Sequence, residues 1–437
     1  MKPEDPATLR RSLGLFETTL GGIGIILGAG IYALVGEVAG KAGDAVWVSF
    51  LMAAAMAAVV GLSYAELASA FPRAGADYEY TRQALGLRAA FVVGWLIVIG
   101  NLVAAATVSL GFCGYLHTFV DVDPTALALA ALVAATFIAF YGIREAVWLS
   151  VILTLAEVGG LVFVIVIGVP HLGDVDLLEA EMGAAGIFSG AALVMFAFIG
   201  FEQIATLSEE TRDAVSIVPR AMLLAIAVTS GLYLMVAVAA VSVLGWEELS
   251  GSEAPLAAVA AEVLGGRASD FVAVVALFST ANTILLLLVA ASRLIYGMAS
   301  TAALPRFLAW VHPGARTPAR AIALSLVVSA GFALSGDISL VAGATNFAVF
   351  IGFAAVNVSL IVLRYTRPDV PRPFRVPLNV GRLPLLPVVA LASVAFLTVN
   401  LERNALLIGA GLFVSGVVAM EVFSLWRPLE SGGPEPE

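Results

Sequence analysis

The sequence predicts an all-α membrane protein with twelve transmembrane helices, and three observations carry that prediction. Hydrophobic residues fill 61% of the 437 positions and charged residues 12%, against roughly 45–50% apolar and about 25% charged in a soluble chain. The apolar residues stand in long blocks, and roughly 20 residues of helix are needed to cross a hydrocarbon core about 30 Å thick. Basic residues collect on alternate sides of those blocks, as they do between the helices of a multi-pass protein. A water-soluble enzyme is excluded by composition alone, because so little polar sequence cannot cover its surface.

The elements follow in order. Residues 1–12 form a charged tail without the apolar core and cleavage site of a removable signal peptide. Twelve apolar segments follow, at about 20–38, 45–70, 87–115, 125–143, 146–169, 185–207, 219–244, 269–299, 319–335, 338–363, 383–400 and 405–426. None shows the short alternating pattern of an outer-membrane barrel, so the spans are helices. Residues 427–437, with Gly432, Gly433, Pro434 and Pro436, are expected to be a disordered tail.

Orientation follows from the basic residues. With the N-terminus inside, inner segments hold 19 of the 22 Lys and Arg, and outer segments hold only Lys41, Arg267 and Arg403. A missed span would have scrambled that split. Both termini are therefore expected on the cytoplasmic side of a cell (plasma) membrane. The outer loops carry acids instead, among them Asp121, Asp123, Asp174, Asp176, Glu179 and Glu181, most simply as a solvated face. The net charge of −10 argues against nucleic acid. One cysteine and three scattered histidines leave no disulfide framework or thiolate metal site, so no cofactor is expected.

Two spans contain sequence that a lipid-facing helix would not choose. The first runs Gly21-Gly22-Ile23-Gly24-Ile25-Ile26-Leu27-Gly28-Ala29-Gly30-Ile31-Tyr32, and the sixth Phe196-Ala197-Phe198-Ile199-Gly200-Phe201-Glu202-Gln203. Glycine lowers helix propensity by about 1 kcal/mol per position and frees the backbone to leave the helix. The bland alternative is tight helix packing through small residues such as Gly24 and Gly28. Spans one and six are five helices apart, the spacing of two inverted five-helix repeats that each open with a broken helix; the repeats would be 13–169 and 183–363, with 364–426 as helices 11 and 12. Unwound backbone in a bilayer is tolerable only around a polar cavity or ligand. Free amides at a half-helix N-terminus favour an anion and free carbonyls at a C-terminus a cation. An α-amino acid is the simplest small solute carrying both poles.

These residues also carry a resemblance. Gly28-Ala29-Gly30-Ile31-Tyr32, Ser63-Tyr64-Ala65-Glu66-Leu67 with Phe71-Pro72-Arg73-Ala74-Gly75-Ala76, and Phe198-Ile199-Gly200-Phe201-Glu202 are followed by Glu209-Glu210, Val218-Pro219-Arg220-Ala221, Ser292-Arg293 with Tyr296, Leu304-Pro305 and Arg372-Pro373-Phe374-Arg375-Val376-Pro377. In this order, over about residues 13 to 420, the chain resembles the amino acid–polyamine–organocation (APC) superfamily, in the branch of bacterial and archaeal amino acid permeases and cationic and L-type amino acid transporters. The resemblance implies the LeuT-type fold and alternating-access transport of an amino acid. It implies that amides near Gly28, Ala29 and Gly30 hold the substrate carboxylate and that carbonyls near Ile25, Ile26, Phe196, Ala197 and Ile199 meet its ammonium. Phe198 or Phe201 would be an aromatic lid on the outward side, and Phe198, Phe201 and Glu202 are gate candidates. Asn101, Thr107, Asn282, Thr283 and Asn346, on helices 3, 8 and 10, are candidate side-chain selectors.

Glu157 is the most informative single residue. It stands eleven residues after Ala146 and twelve before Val169, roughly 16–18 Å deep at 1.5 Å per residue. An ionised carboxylate facing lipid there costs at least a few kcal/mol, so it must face the bundle interior. Many members of the superfamily carry a lysine at the matching position, and here the chain departs from the pattern, with no lysine in any span. Glu157 could carry a proton, ligate a cation, or serve as a structural acid bonded to helix 1. For sodium, Ser279, Thr280 and carbonyls near Gly22 and Ile25 would complete an oxygen cage. Glu66 and Glu209-Glu210 are expected to pair with Arg73, Arg212 or Arg220, and the arginines from Arg364 to Arg382 to set topology, with anionic lipid as a secondary contact. Proton-coupled symport of a neutral or small amino acid is the preferred expectation. Exchange, sodium coupling and a nontransporting nutrient sensor are the rivals. An intramembrane enzyme would need a nucleophile with a base, or a metal set, inside the spans, and none is legible.

Overall fold

The computed structural model describes residues 13–72, 76–141, 146–209, 211–300, 304–315 and 317–426. The expected tails, and Arg73, Arg144 and Glu210, lie outside the described residues. Helices α1 (Leu15–Leu27) and α2 (Gly30–Ala42) occupy the first expected span, followed by α3 (Val46–Ala70), α5 (Leu87–His117), α6 (Pro124–Tyr141) and α7 (Ala146–Gly168). The later spans hold α8 (Gly183–Phe198) with a 3-10 helix at Phe201–Glu209, then α9 (Ala214–Gly251), α11 (Gly266–Ser300), α12 (Ala319–Ala333), α13 (Ile338–Thr366), α14 (Leu385–Val399) and α15 (Arg403–Trp426). Among the described residues, eight helical stretches are long and apolar enough to cross a membrane, and α1, α6, α12 and α14 are shorter apolar helices.

Three elements were not anticipated. Helix α4 (Ala76–Leu85) is short and polar, with Asp77 and Glu79 in its first turn and Arg82 in its last, a charge order that suits the helix dipole. Helix α10 (Pro255–Leu264) starts on a proline, whose missing N–H costs nothing at a first turn. A two-residue antiparallel hairpin pairs Asn379–Val380 with Leu383–Pro384. Span seven also runs further than expected, to Gly251, with a kink at Gly245.

Packing separates a core from a shell. Helix α3 packs on α8 and α9, α5 on α11 and α13, α2 on α8, and α1 on α9. The shell helices α6, α7, α12, α14 and α15 turn Val133, Phe137, Val166, Val327, Val399 and Leu407 outward, and each is exposed. Such an apolar exterior would aggregate in water and suits lipid. Leu13 bridges to Thr211, so the starts of α1 and α9 share one face of the bundle. This is the face to which the sequence assigns most arginines, called here the basic face; the opposite face carries the acidic loops.

The two interruptions meet. Helix α1 stops at Leu27 and α2 begins at Gly30, while α8 stops at Phe198 and the backbone turns at Gly200 with φ +122°. A Cβ on Gly30 would stand 2.4 Å from Ala197 Cα, and one on Gly200 2.8 Å from the Ile25 carbonyl oxygen. Only glycine lets the two chains approach this closely.

Candidate functional site

The breaks leave main-chain groups without helical partners, and neighbouring hydroxyls cover several of them. The Ala29 amide donates to Thr283 Oγ1 at 3.2 Å. Thr283 in turn donates to the Ser279 carbonyl one turn back in α11, at 2.9 Å. The Tyr233 hydroxyl, fully buried on α9, lies 2.9 Å from the Ile26 carbonyl oxygen, 3.1 Å from that of Leu27 and 3.0 Å from that of Ala197. One hydroxyl proton thus faces three carbonyls drawn from both breaks. Around Gly200, Glu202 folds back so that its Oε2 accepts from the Gly200 amide at 2.9 Å.

Glu157 is buried on α7 at 4% exposure, as its depth demanded. Ser279 donates to its Oε1 at 2.6 Å, and the Tyr32 hydroxyl donates to its main-chain oxygen at 3.2 Å. One turn of α11 therefore joins the acid, through Ser279 and Thr283, to the Ala29 amide. Of the two hydroxyls named for an oxygen cage, Ser279 bonds this carboxylate and Thr280 bonds its own helix. Thr280 turns its hydroxyl back onto the Ala276 carbonyl at 2.7 Å, because it stands about 100° round the helix from Ser279. Gly22 faces Ile204 and Ala225, while Gly24 faces Thr154 of α7. No group of three or more His, Cys, Asp or Glu side chains suited to a metal occurs among the described residues.

A cavity of about 490 Å³ extends from the second break toward the basic face. Ile199, Asn101 and Thr345 stand at its inner end; Tyr64, Asp77, Tyr78, Glu202, Gln203 and Arg293 supply most of its polar lining. Asp77, on α4 outside the spans, receives a hydrogen bond from the Tyr64 hydroxyl, and burial pushes its carboxyl up to about 6. Toward the acidic face, Phe198 packs on Tyr233 at 5.3 Å, Phe50 packs on the same ring, and Tyr32 meets Tyr115. All five rings are buried, a packed aromatic layer between the breaks and the acidic face.

Several expected residues take other places. Of the substrate group, Ile199 and Asn101 line the cavity, and so does the gate candidate Glu202; Ile25, Ile26, Gly28, Ala29, Gly30, Phe196, Ala197, Phe198 and Asn282 do not. Of the two lid candidates, Phe201 is separated from Phe198 by the turn at Gly200. It lies past the break toward the basic face, 5.8 Å from Tyr64 and 5.2 Å from Phe353. Asn346 donates to the Ala192 and Leu193 carbonyls at 2.7 and 2.9 Å, holding α8 rather than facing the cavity. Thr107 bonds within its own helix. Among the described residues Glu66 pairs with Arg364 and Arg372, and not with Arg212 or Arg220; the expected partner Arg73 lies outside the described residues. The sequence reading passed over Tyr233, although a tyrosine midway along an otherwise apolar span marks a polar partner nearby.

Comparison with known proteins agrees with this architecture. A family model described as amino acid permease matches residues 13–422. The branched-chain amino acid permease BcaP of Bacillus subtilis is 30% identical over 419 residues, covering 90% of this chain and 89% of that protein. The methylthioribose transporter of the same organism is 27% identical, over 88% of this chain and 87% of its own. Mouse cationic amino acid transporter 4 is 30% identical over 83% of this chain and 61% of its own length.

Proposed function

The chain belongs to the amino acid permease family, and from that premise we propose that it carries α-amino acids across a membrane by alternating access, in symport with a proton. It is a multi-pass, all-α membrane protein of the APC superfamily and a permease. The observation that carries the reading is the meeting of the two breaks at Gly30 and Ala197, with the Ala29 amide on one side and the Ile26, Leu27 and Ala197 carbonyls on the other. A carboxylate suits the amide and an ammonium suits the carbonyls. The LeuT-type arrangement of two inverted five-helix repeats, 13–169 and 183–363, is the architecture that places these breaks together.

The excess of arginine on the basic face supports a cytoplasmic location for both termini, in a plasma membrane. With that orientation the cavity opens inward and the rings of Phe198, Tyr233 and Phe50 close the outward path. A neutral, apolar substrate fits best: Leu96, Ile97, Leu294, Val349 and Phe353 make up much of the cavity wall, and the relative BcaP is named for branched-chain amino acids.

Glu157 is the proposed proton carrier. It is a deep carboxylate one helical turn from the first break, with Ser279 as its side-chain partner, and intramembrane carboxylates of this kind serve proton relays. Sodium is less favoured because Thr280 turns its hydroxyl onto its own helix, which removes one of the hard oxygens expected for it. Uptake by reconstituted wild type and Glu157→Gln, across separate pH and sodium gradients, tests the assignment. Glu157→Gln is expected to lose acid-driven accumulation while retaining exchange. Unchanged acid-driven accumulation in that variant would leave Glu157 a structural acid, and accumulation driven only by sodium would favour the cation-ligand role.

A further inference from the structure

We propose that the Thr283 hydroxyl takes the place of a substrate carboxylate oxygen in the unloaded carrier, so that the empty protein can reorient and complete a net transport cycle. The inference rests on the transport reading above and adds to it a specific residue for the return step.

The Ala29 amide lies in the first break, where no helical carbonyl is in register to accept from it. Thr283 Oγ1 accepts instead, at 3.2 Å. A Cβ on the neighbouring Gly28 would stand 3.0 Å from the same oxygen, so the hydroxyl lies directly over the two residues whose amides the substrate would use. The hydroxyl is anchored by its own bond to Ser279, at 2.9 Å, which fixes the Oγ1 lone pairs toward the break. On the carbonyl side the Tyr233 hydroxyl makes the matching contacts.

A carrier that returns empty must pass through its occluded form with no ligand in the breaks. There, water is excluded and an unpaired amide is destabilising, which slows passage. A strict exchanger never faces that cost, because substrate is always present. Thr283 removes it from inside the protein, and substrate must displace the hydroxyl to bind. Losing the hydroxyl should therefore have two opposite effects: a slower empty return and tighter substrate binding.

The test uses the full chain in proteoliposomes with a labelled mixture of the twenty amino acids. Exchange is read with unlabelled mixture on the far side, and net efflux with none. Wild type is expected to do both. Thr283→Val, which keeps the side-chain volume, is expected to slow net efflux about tenfold relative to exchange measured in the same vesicles and to lower KM; Thr283→Ser, which restores the hydroxyl, is expected to restore the wild-type ratio of net efflux to exchange. Exchange itself reports folded protein. Parallel loss of both fluxes in Thr283→Val, no loss in either, or a raised KM would each overturn the inference while leaving the transport reading intact; a wild type that exchanges without net efflux would overturn both the inference and the symport reading, leaving amino acid exchange. A wild type that neither exchanges nor releases amino acids would overturn the transport reading itself.

Discussion

Arg364, near the end of α13, lays its guanidinium against the carboxylate of Glu66, near the end of α3, in an ion pair removed from solvent. Arg372 adds a second cation at 3.4 Å, and the Val376 amide donates to Glu66 Oε2 at 2.7 Å. Ser69, one turn further along α3, exchanges contacts with the main chain of Phe374. Two sequence motifs some three hundred residues apart, one ending α3 and the other at 372–377, are therefore one physical clamp on the basic face. Breaking a buried pair by removing one partner costs about 3–5 kcal/mol, since the other charge stays buried and uncompensated. Glu66→Gln should lower the thermal midpoint in detergent sharply. The double variant Glu66→Gln with Arg364→Gln should lose less than the sum of the single changes; strict additivity would show that the two groups act independently.

Gly30 and Gly21 make a paired test of the break. An added Cβ at Gly30 meets the Ala197 main chain at 2.4 Å, whereas one at Gly21 meets nothing within 4 Å. Gly30→Ala must push the two interruptions apart, and misplacement of about 1 Å at a reacting or binding centre can cost on the order of a hundredfold. Its uptake should fall to a few per cent of wild type. Gly21→Ala should transport normally and gain up to about 1 kcal/mol in helix stability. Similar activity of the two variants would remove the close approach at Ala197 from the mechanism.

Asn346 separates a structural clamp from a selector. Its amide nitrogen holds two consecutive carbonyls, those of Ala192 and Leu193, about a turn before α8 ends. Each such net contribution is about 1 kcal/mol, added to the helical bonds these carbonyls already accept inside α8. Asn346→Ala should therefore reduce stability by about 1–3 kcal/mol and depress transport of all amino acids alike. A changed order of preference in a competition assay, with stability intact, would return Asn346 to the substrate pocket.

The parts of this architecture that were legible in the sequence are those with a one-dimensional signature. Helix stretches show as apolar blocks, and the breaks show because Gly28, Gly30 and Gly200 have little to offer a continuous helix. Glu157 was legible because depth in a span follows from counting. The remainder depended on azimuth and on distant partners. Ser279 reaches Glu157 and Thr280 does not, a difference of one residue that only the rotation of α11 decides. Between Phe198 and Phe201 the sequence offers no choice of lid, because the direction of the chain after Gly200 is not written in its neighbours; the structure packs Phe201 on Tyr64 and Phe353. Helix α4 escaped notice because it is polar and short, and Glu66 could not be matched to Arg364 across 298 positions. That pair, with Arg372 beside it, ties the end of α13 and the arginine-rich segment that follows to α3.

Asp77 gives the prediction that depends on pH. Burial raises its carboxyl from an ordinary 3.8 to about 6, against the opposing hydrogen bond from Tyr64. Between those two values the folded protein holds a proton that the unfolded chain has released, so the unfolded state binds fewer protons and stability falls as pH rises through the window. Well below pH 3.8 the group is neutral in both states and contributes no penalty. Above about pH 6 the penalty is complete, at about 2 kcal/mol after allowance for water in the cavity. Asp77→Asn keeps the shape and an oxygen that can accept from Tyr64, and it never ionises. It should therefore be more stable than wild type at pH 8 by about 2 kcal/mol and indistinguishable from it well below pH 3.8. Thermal unfolding at the two pH values checks both halves. A variant less stable than wild type at pH 8 would mean that the ionised carboxylate is stabilised by a cation, and Arg293, which lines the same cavity, would then be the partner to replace next.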